Sequence, residues 1–384
     1  MTSTETTDAI VVLGAGGLVG RRVVGELVRA GANVVLAGRQ PADIASAAPD
    51  APVHAADAFD AGSLARAFAG ARVVINAASP LRDTASPVLL AAIAAGAHYV
   101  DVGGEQVVVH ALYERHESLV RHAGLIALPG AGLDCVIGDL AAGWAAEHLG
   151  EAVDEGAPVR SAPAPRRAEE RPLDEIAVTY VFDDLALSAG SQRALFGAAF
   201  SHPLVWRRDR WEPGRAGDHR RVNAGLALGG ERDAVAYAAS DAITIPRHVA
   251  ANLVVTYAST TRRAAAAGAM RLLARALPFV PRAATALLAP YAAPDTDYSR
   301  TQLAVIAQVR RGFSAAQIVV RGHDLYRTSA AVTAWIARQL VTRGPGPVGM
   351  RAPGELFRAA PALRAIASVA GLTLEPSFGS SAPT

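Results

Sequence analysis

Hydrophobic positions in the first 135 residues fall into two alternating kinds of block. Short apolar runs at 10–13, 34–37, 52–56, 72–76 and 125–128 have the make-up of strands buried on both faces, and a fifth strand starts at His98 and runs into a loop at 101–106. Between them, apolar residues recur at three- and four-residue spacing. Val19, Val23, Val24, Leu27 and Val28 give one helix a single apolar face, and Gly31 closes it. Further helices are expected over 60–68, 87–95 (closed by Gly96) and 107–123, and another passes through Gly138 to His148. Strands alternating with helices predict βαβ units and a parallel sheet.

After residue 150 the pattern changes. Positions 156–172, rich in Pro, Ala and charge, read as a linker or exposed loop, and 176–182 (IAVTYVF) alternates as a strand. A short helix is expected over 188–200, an Arg-dense solvated hairpin over 206–222, and strands over 234–238 and 253–257. Positions 260–290 are helical in pattern, best read as a layer covering a sheet; a membrane-surface helix or an acyl tunnel is the alternative. Strands at 302–309 and 317–320 pair around Gly312, and a helix over 326–340 follows Asp324. A last helical stretch covers 356–370, interrupted at Pro361, before a small, polar tail expected to be disordered. The expected fold is α/β: a Rossmann doubly wound parallel sheet, a second α+β domain with a mixed sheet, and C-terminal helices returning to the first domain. The boundaries read as 1–135, 136–325, 326–375 and a tail at 376–384.

The first strand and helix are joined by a glycine turn holding Gly14, Gly16, Gly17 and Gly20. Gly14 lets the chain turn off the strand, Gly17 lacks the Cβ that would block a pyrophosphate, and Gly20 lets helix and sheet approach. The free N–H groups of the first helical turn, from Leu18 and Val19 onward, then face the phosphates. The second strand ends in Gly38-Arg39-Gln40, with no carboxylate before Asp43. A carboxylate there would accept from the ribose 2′-OH of NAD, whereas a guanidinium can pair bidentately with a 2′-phosphate. The expected cofactor is therefore NADP(H). Asp57, at the end of the third strand, is expected near the adenine amino group or as a helix cap. Asn76, Ala77, Ala78 and Ser79, at the end of the fourth, are expected to line the nicotinamide half.

Composition narrows the chemistry. The chain has 384 residues, 51% of them hydrophobic, enough for two domains. Net charge is +2 with no basic block, which argues against a nucleic-acid partner. No apolar run reaches the length of a membrane-spanning helix, and a lone Cys135 suits a reducing cytoplasm. All 37 basic residues are Arg. A Schiff base, a Tyr-x-x-x-Lys dyad and a lysine general base are thereby excluded. His116 and His122 lie six apart, so they fall on different faces of a helix, and no metal site is expected. No Gly-x-Ser-x-Gly elbow is present.

The stretches GAGGLVGRRV (14–23), LAGR (36–39), VINAASP (74–80), YVDVGGE (99–105), GAGLDCVIGDLAA (130–142) and RGHDLYRTSA (321–330) resemble the saccharopine dehydrogenase-like NADP-binding oxidoreductases. That group includes saccharopine reductases and trans-acting enoyl reductases, and the likeness is stronger to the enoyl-reductase branch. The resemblance implies NADPH-dependent reduction and a homodimer formed through second-domain sheets. Its amino-acid-forming members use a lysine and a histidine, and no lysine exists here. Candidate proton donors are Asp101, Glu105, Asp134 and Tyr326; for Asp101 a loop-fixing role, and for Asp134 a capping role, are the alternatives. The expected substrate is a hydrophobic small molecule with an activated C=C bond, with imine reduction or a non-catalytic NADP sensor or scaffold as alternatives.

Overall fold

The computed structural model describes residues 8–151, 171–188, 190–192, 202–215, 217–260, 272, 297–344 and 346–380. The linker expected at 156–172 and the helices expected at 188–200 and 260–290 lie largely outside them. The chain forms two compact units, residues 1–133 with 326–351 and residues 134–325 with 352–384.

The first unit alternates as its sequence pattern demands. Strands β1 (Ala9–Leu13), β2 (Val34–Gly38), β3 (Val53–Ala55), β4 (Ala71–Asn76), β5 (His98–Asp101) and β6 (Ile126–Leu128) are separated by α1 (Leu18–Arg29), α2 (Pro41–Ala45), α3 (Ala61–Ala67), α4 (Leu81–Ala94) and α5 (Gln106–His122). With β15 (Gly349–Met350) they make one seven-stranded sheet in the order β15-β6-β5-β4-β1-β2-β3. Every pairing in it is parallel. This is the doubly wound order, and it reverses direction at β1, which has β2 on one side and β4 on the other. Every residue of β1 is buried, as a central strand with helices on both faces requires. The helix α4 starts six residues before the expected Pro87 and carries that proline in its interior. Its entry is fixed by the loop after β4, where the Thr84 hydroxyl donates to the Ala78 carbonyl at 2.8 Å.

The second unit is built on a nine-stranded mixed sheet, with a main path β10 (His219–Asn223), β11 (Glu231–Ala236), β12 (Leu253–Ser259), β7 (Glu175–Asp183), β13 (Gln302–Arg311), β14 (Ser314–His323) and β16 (Thr373–Ser380). The hairpin of β8 (Leu204–Arg207) and β9 (Arg210–Pro213) joins at β12, and the short helix α7 (Asp241–Thr244) precedes β12 in the chain. One face buries Val181, Val255, Tyr257, Ile306 and Val319. Against the other lies α6 (Leu133–Glu151): a Cβ on its Gly138 would come within 2.8 Å of Val178 on β7.

Two expectations about the C-terminus are corrected. The helix α8 (Leu325–Val341) and β15 are counted with the first unit, but α9 (Pro353–Leu356), α10 (Ala359–Ala370) and β16 belong to the second. Residues 376–380 are not a disordered tail. They complete β16, which pairs antiparallel with β14 from Arg321↔Thr373 to Ser314↔Ser380. Pro376 is tolerated because β16 ends the sheet, so no further strand needs its missing N–H. Pro361 does not interrupt α10 either, since it lies in the first turn, where no N–H is required.

Candidate functional site

The glycine turn between β1 and α1 has the geometry its sequence demands. Gly14 has φ +82°, and a Cβ there would lie 2.7 Å from the Ala77 carbonyl carbon and the Ala78 nitrogen, so the turn is pressed against the loop after β4. A Cβ on Gly20 would come within 2.1 Å of the Gly14 carbonyl oxygen, which explains the close seating of α1. Gly17 occupies the N-cap of α1, is exposed, and no side chain caps the helix. The unpaired N–H groups of the first turn are therefore presented at the carboxyl end of β1, at the point where strand order reverses. The residues present fit a dinucleotide pyrophosphate. Gly16 has a role the sequence pattern did not disclose. A Cβ on it would meet Ile44 Cγ2 at 2.6 Å, and Ile44 also packs over Gly38.

Arg39 is exposed immediately after β2. Asp57 accepts from the Phe59 N–H at 3.0 Å, while its own N–H donates to Ser63 Oγ. The cap of α3 is Asp60, accepting from Gly62 and Ser63, so Asp57 shapes the loop without capping the helix.

At the carboxyl ends of β4 and β5, one buried network ties three loops together. Asp101 Oδ1 accepts from the Gly103 N–H at 3.1 Å and the Gly130 N–H at 2.9 Å, and Oδ2 accepts from the Tyr99 hydroxyl at 3.0 Å. Its backbone carbonyl accepts from the Ala131 N–H at 2.7 Å. Asn76 Nδ2 donates to the Tyr99 hydroxyl and to Thr84 Oγ1, and Asn76 Oδ1 accepts from the Ala78 N–H at 3.1 Å. Burial raises the Asp101 pKa to about 6, against the lowering effect of the Gly130 and Gly103 N–H groups and Tyr99. With both oxygens engaged, Asp101 is placed as the fastener of these loops. Tyr99 and Thr84 complete the network; Tyr99 opens the stretch YVDVGGE but is not among the expected site residues, and Thr84 lies before the expected start of α4.

Glu105, at the N-cap of α5, is half-buried, and burial raises its carboxyl pKa, with Arg82 at 3.9 Å opposing. Tyr326 is buried on α8, with the Arg22 guanidinium 5.7 Å from its ring centroid, so it packs against α1. Asp134 falls in the second unit, at a non-helical bend in the first turn of α6. Ala77 and Ala78 are partly exposed and Ser79 is exposed, on the loop that Gly14 touches. Among the described residues no group of His, Cys, Asp and Glu could hold a metal ion, and no helix is long and apolar enough to cross a membrane. A cavity of about 840 Å³ between α3 and α4 is lined by Phe59, Leu64, Leu90 and small apolar residues, none of them titratable.

The second unit holds buried ionisable pairs that the sequence pattern did not single out. The Tyr180 hydroxyl donates to Asp241 Oδ2 at 2.7 Å, and burial pushes the Asp241 pKa well up. His248 Nε2 lies 3.0 Å from Asp139 Oδ2, while Asp139 Oδ1 accepts from the Gly354 N–H at 2.8 Å.

The glycine turn at the switch point and the uncapped first turn of α1 define the first unit as a dinucleotide-binding Rossmann domain. Residues 10–127 match the family described as saccharopine dehydrogenase NADP binding domain. A Mycobacterium tuberculosis protein with the provisional name trans-acting enoyl reductase is 30% identical over 176 residues, 42% of this chain and 42% of that protein. A lipid droplet localized protein of Caenorhabditis elegans is 30% identical over 146 residues, 34% of each. The aligned stretches thus span less than half of these relatives. The fold as a whole is similar to a Saccharomyces cerevisiae saccharopine dehydrogenase (L-Glu forming), with TM-score 0.64 at 15% identity, covering 97% of this chain and 99% of that one. It is also similar to the homospermidine synthase of Legionella pneumophila solved with NAD, with TM-score 0.60 at 12% identity, covering 97% and 91%.

Proposed function

We propose that this chain is an NADPH-dependent reductase of a hydrophobic small molecule, with an activated C=C bond as its first substrate class. The observation that carries the proposal is an open glycine turn whose neighbouring strand is followed directly by Arg39 and not by a carboxylate. The relative named for enoyl reduction supports the C=C choice. Imine reduction is the competitor, and the lack of lysine weighs against lysine-and-histidine chemistry.

When bound, NADPH supplies the hydride; the chain must orient the acceptor and provide a proton. Asp101 acts by positioning, because its oxygens already hold Gly103, Gly130 and Tyr99. Glu105 is the better donor. It is partly accessible, and burial keeps its carboxyl protonated to higher pH than usual. The rate should fall as pH rises through that raised pKa, because the neutral form is the one that gives up a proton. Glu105→Gln should lower kcat by about a hundredfold and remove that limb of the profile. A variant with unchanged rate and profile would move the donor to Asp134, Tyr326 or water. A cytoplasmic location and a homodimer belong to the same reading, the latter checked by light scattering.

Calorimetric titration with NADPH and NADH is the first test. Tight NADPH binding that in Arg39→Ala weakens toward the NADH value supports the cofactor assignment. If NADPH binds but no enoyl, imine or carbonyl compound accelerates its oxidation, the chain is a non-catalytic NADP sensor or scaffold.

A further inference from the structure

Helix α1 carries Arg21 as its fourth residue and no acidic residue in its first turn. A cation so close to a helix N-terminus is opposed by the helix dipole, which favours negative charge there. The Arg21 side chain is exposed yet held. Its Nε donates to the Gly16 carbonyl at 2.9 Å, and its Nη2 donates to the Asp43 carbonyl at 3.1 Å. Both partners are neutral, so neither cancels the charge. The side chain runs from the glycine turn across to α2, toward the adenosine side of the platform.

The packing beneath it joins the backbone that precedes Arg39 to the same patch. Ile44, next to Asp43, fills the space a Cβ on Gly16 would need, at 2.6 Å, and lies 3.5 Å from where a Cβ on Gly38 would be. Arg39 follows Gly38 directly and is exposed. Arg21 and Arg39, each exposed and without a carboxylate partner among the described residues, are thus attached to backbone that packs on Ile44. A dianion seated there would relieve their charge and the dipole conflict together.

We propose that Arg21 is a second specificity-determining residue for the 2′-phosphate of NADP, acting with Arg39. The proposal rests on the NADP reading of this site and deepens it. The carbonyl bonds fix the guanidinium before the ligand arrives, so little side-chain freedom is lost on binding.

The test is calorimetric titration of the full chain with 2′,5′-ADP, 5′-ADP, NADPH and NADH, on the wild type, Arg21→Ala, Arg39→Ala and the double variant. Arg21→Ala should weaken 2′,5′-ADP and NADPH by about ten- to a hundredfold, while 5′-ADP and NADH change less than about twofold. Its effect should be smaller when Arg39 is already absent, since both contact one group. Arg21→Lys should recover only part of the loss, because a compact ammonium cannot span the Gly16 and Asp43 carbonyls as the planar guanidinium does. Equal weakening of all four ligands would overturn the proposal by making Arg21 a brace of the glycine turn. Unchanged binding throughout would overturn it as well. Wild-type protein that binds none of the four defeats the NADP reading itself, a result distinct from either.

Discussion

Asp101 and His98 sit on the same short strand and titrate in opposite directions on folding. Burial, with Arg72 and Arg343 nearby, lowers the His98 pKa to about 4, and its Nδ1 accepts from the Ile126 N–H at 3.1 Å. Folding is therefore favoured by the neutral ring. The stability His98 contributes is present above the ordinary value of 6.5 and lost as pH falls toward 4. Asp101 rises from 3.8 to about 6, so its contribution is greatest below 3.8 and declines as pH rises toward 6. In the wild type the two slopes oppose each other between about pH 4 and 6. Asp101→Asn should leave the His98 term alone, and the melting temperature should climb with pH over that range. His98→Gln should tilt the curve the other way. Melts of the three proteins at half-unit steps decide it, and parallel curves would refute the pairing. Gly20→Ala should cost about 1–3 kcal/mol or more, because its Cβ would overlap the Gly14 carbonyl. Chemical denaturation would read that loss.

Among the elements, the early strands and α1 were legible because both local signals agreed. An apolar run of four or five residues followed by glycine and then a three-to-four apolar period has few other readings. The misreadings came from elements whose local signal is overruled by packing. Pro87 reads as a helix start because proline favours the first turn, yet α4 begins at Leu81 once Thr84 ties the helix entry to Ala78. The residues of β16 from 376 on include a proline, two serines and a glycine, so they read as tail. Their strand exists through pairing with β14, and through Leu372 filling the space above Gly322, where a Cβ would meet Leu372 Cδ2 at 2.3 Å. Ending the chain after Gly371 should lower the melting temperature by several degrees and raise light scattering, since it bares a long central strand. A truncated protein that melts and scatters like the full chain would show that β16 contributes nothing.

For the whole molecule, binding and folding are linked. Saturating NADPH at a hundred times its Kd should add about 2.7 kcal/mol to the stability of the first unit, with NADH at the same concentration adding less. Differential scanning fluorimetry with each nucleotide gives this ranking directly, and equal shifts would argue against any preference for the 2′-phosphate. In Arg39→Ala the NADPH shift should shrink to that of NADH.

The sequence determined the nucleotide-binding order of strands and helices, the glycine turn, Arg39 at the end of β2 and the absence of lysine chemistry, because each depends on residues close along the chain. Only the tertiary structure decided that Asp101 spends both carboxylate oxygens fastening loops, that Ile44 needs Gly16 and Gly38, and that Arg21 leans across to Asp43. It also decided the joining of α8 and β15 to the first unit and of α10 and β16 to the second. These rest on contacts between positions far apart in sequence. Local periodicity carries no information about which distant backbone N–H will meet a carboxylate, or which strand edge will be left for a late segment to fill.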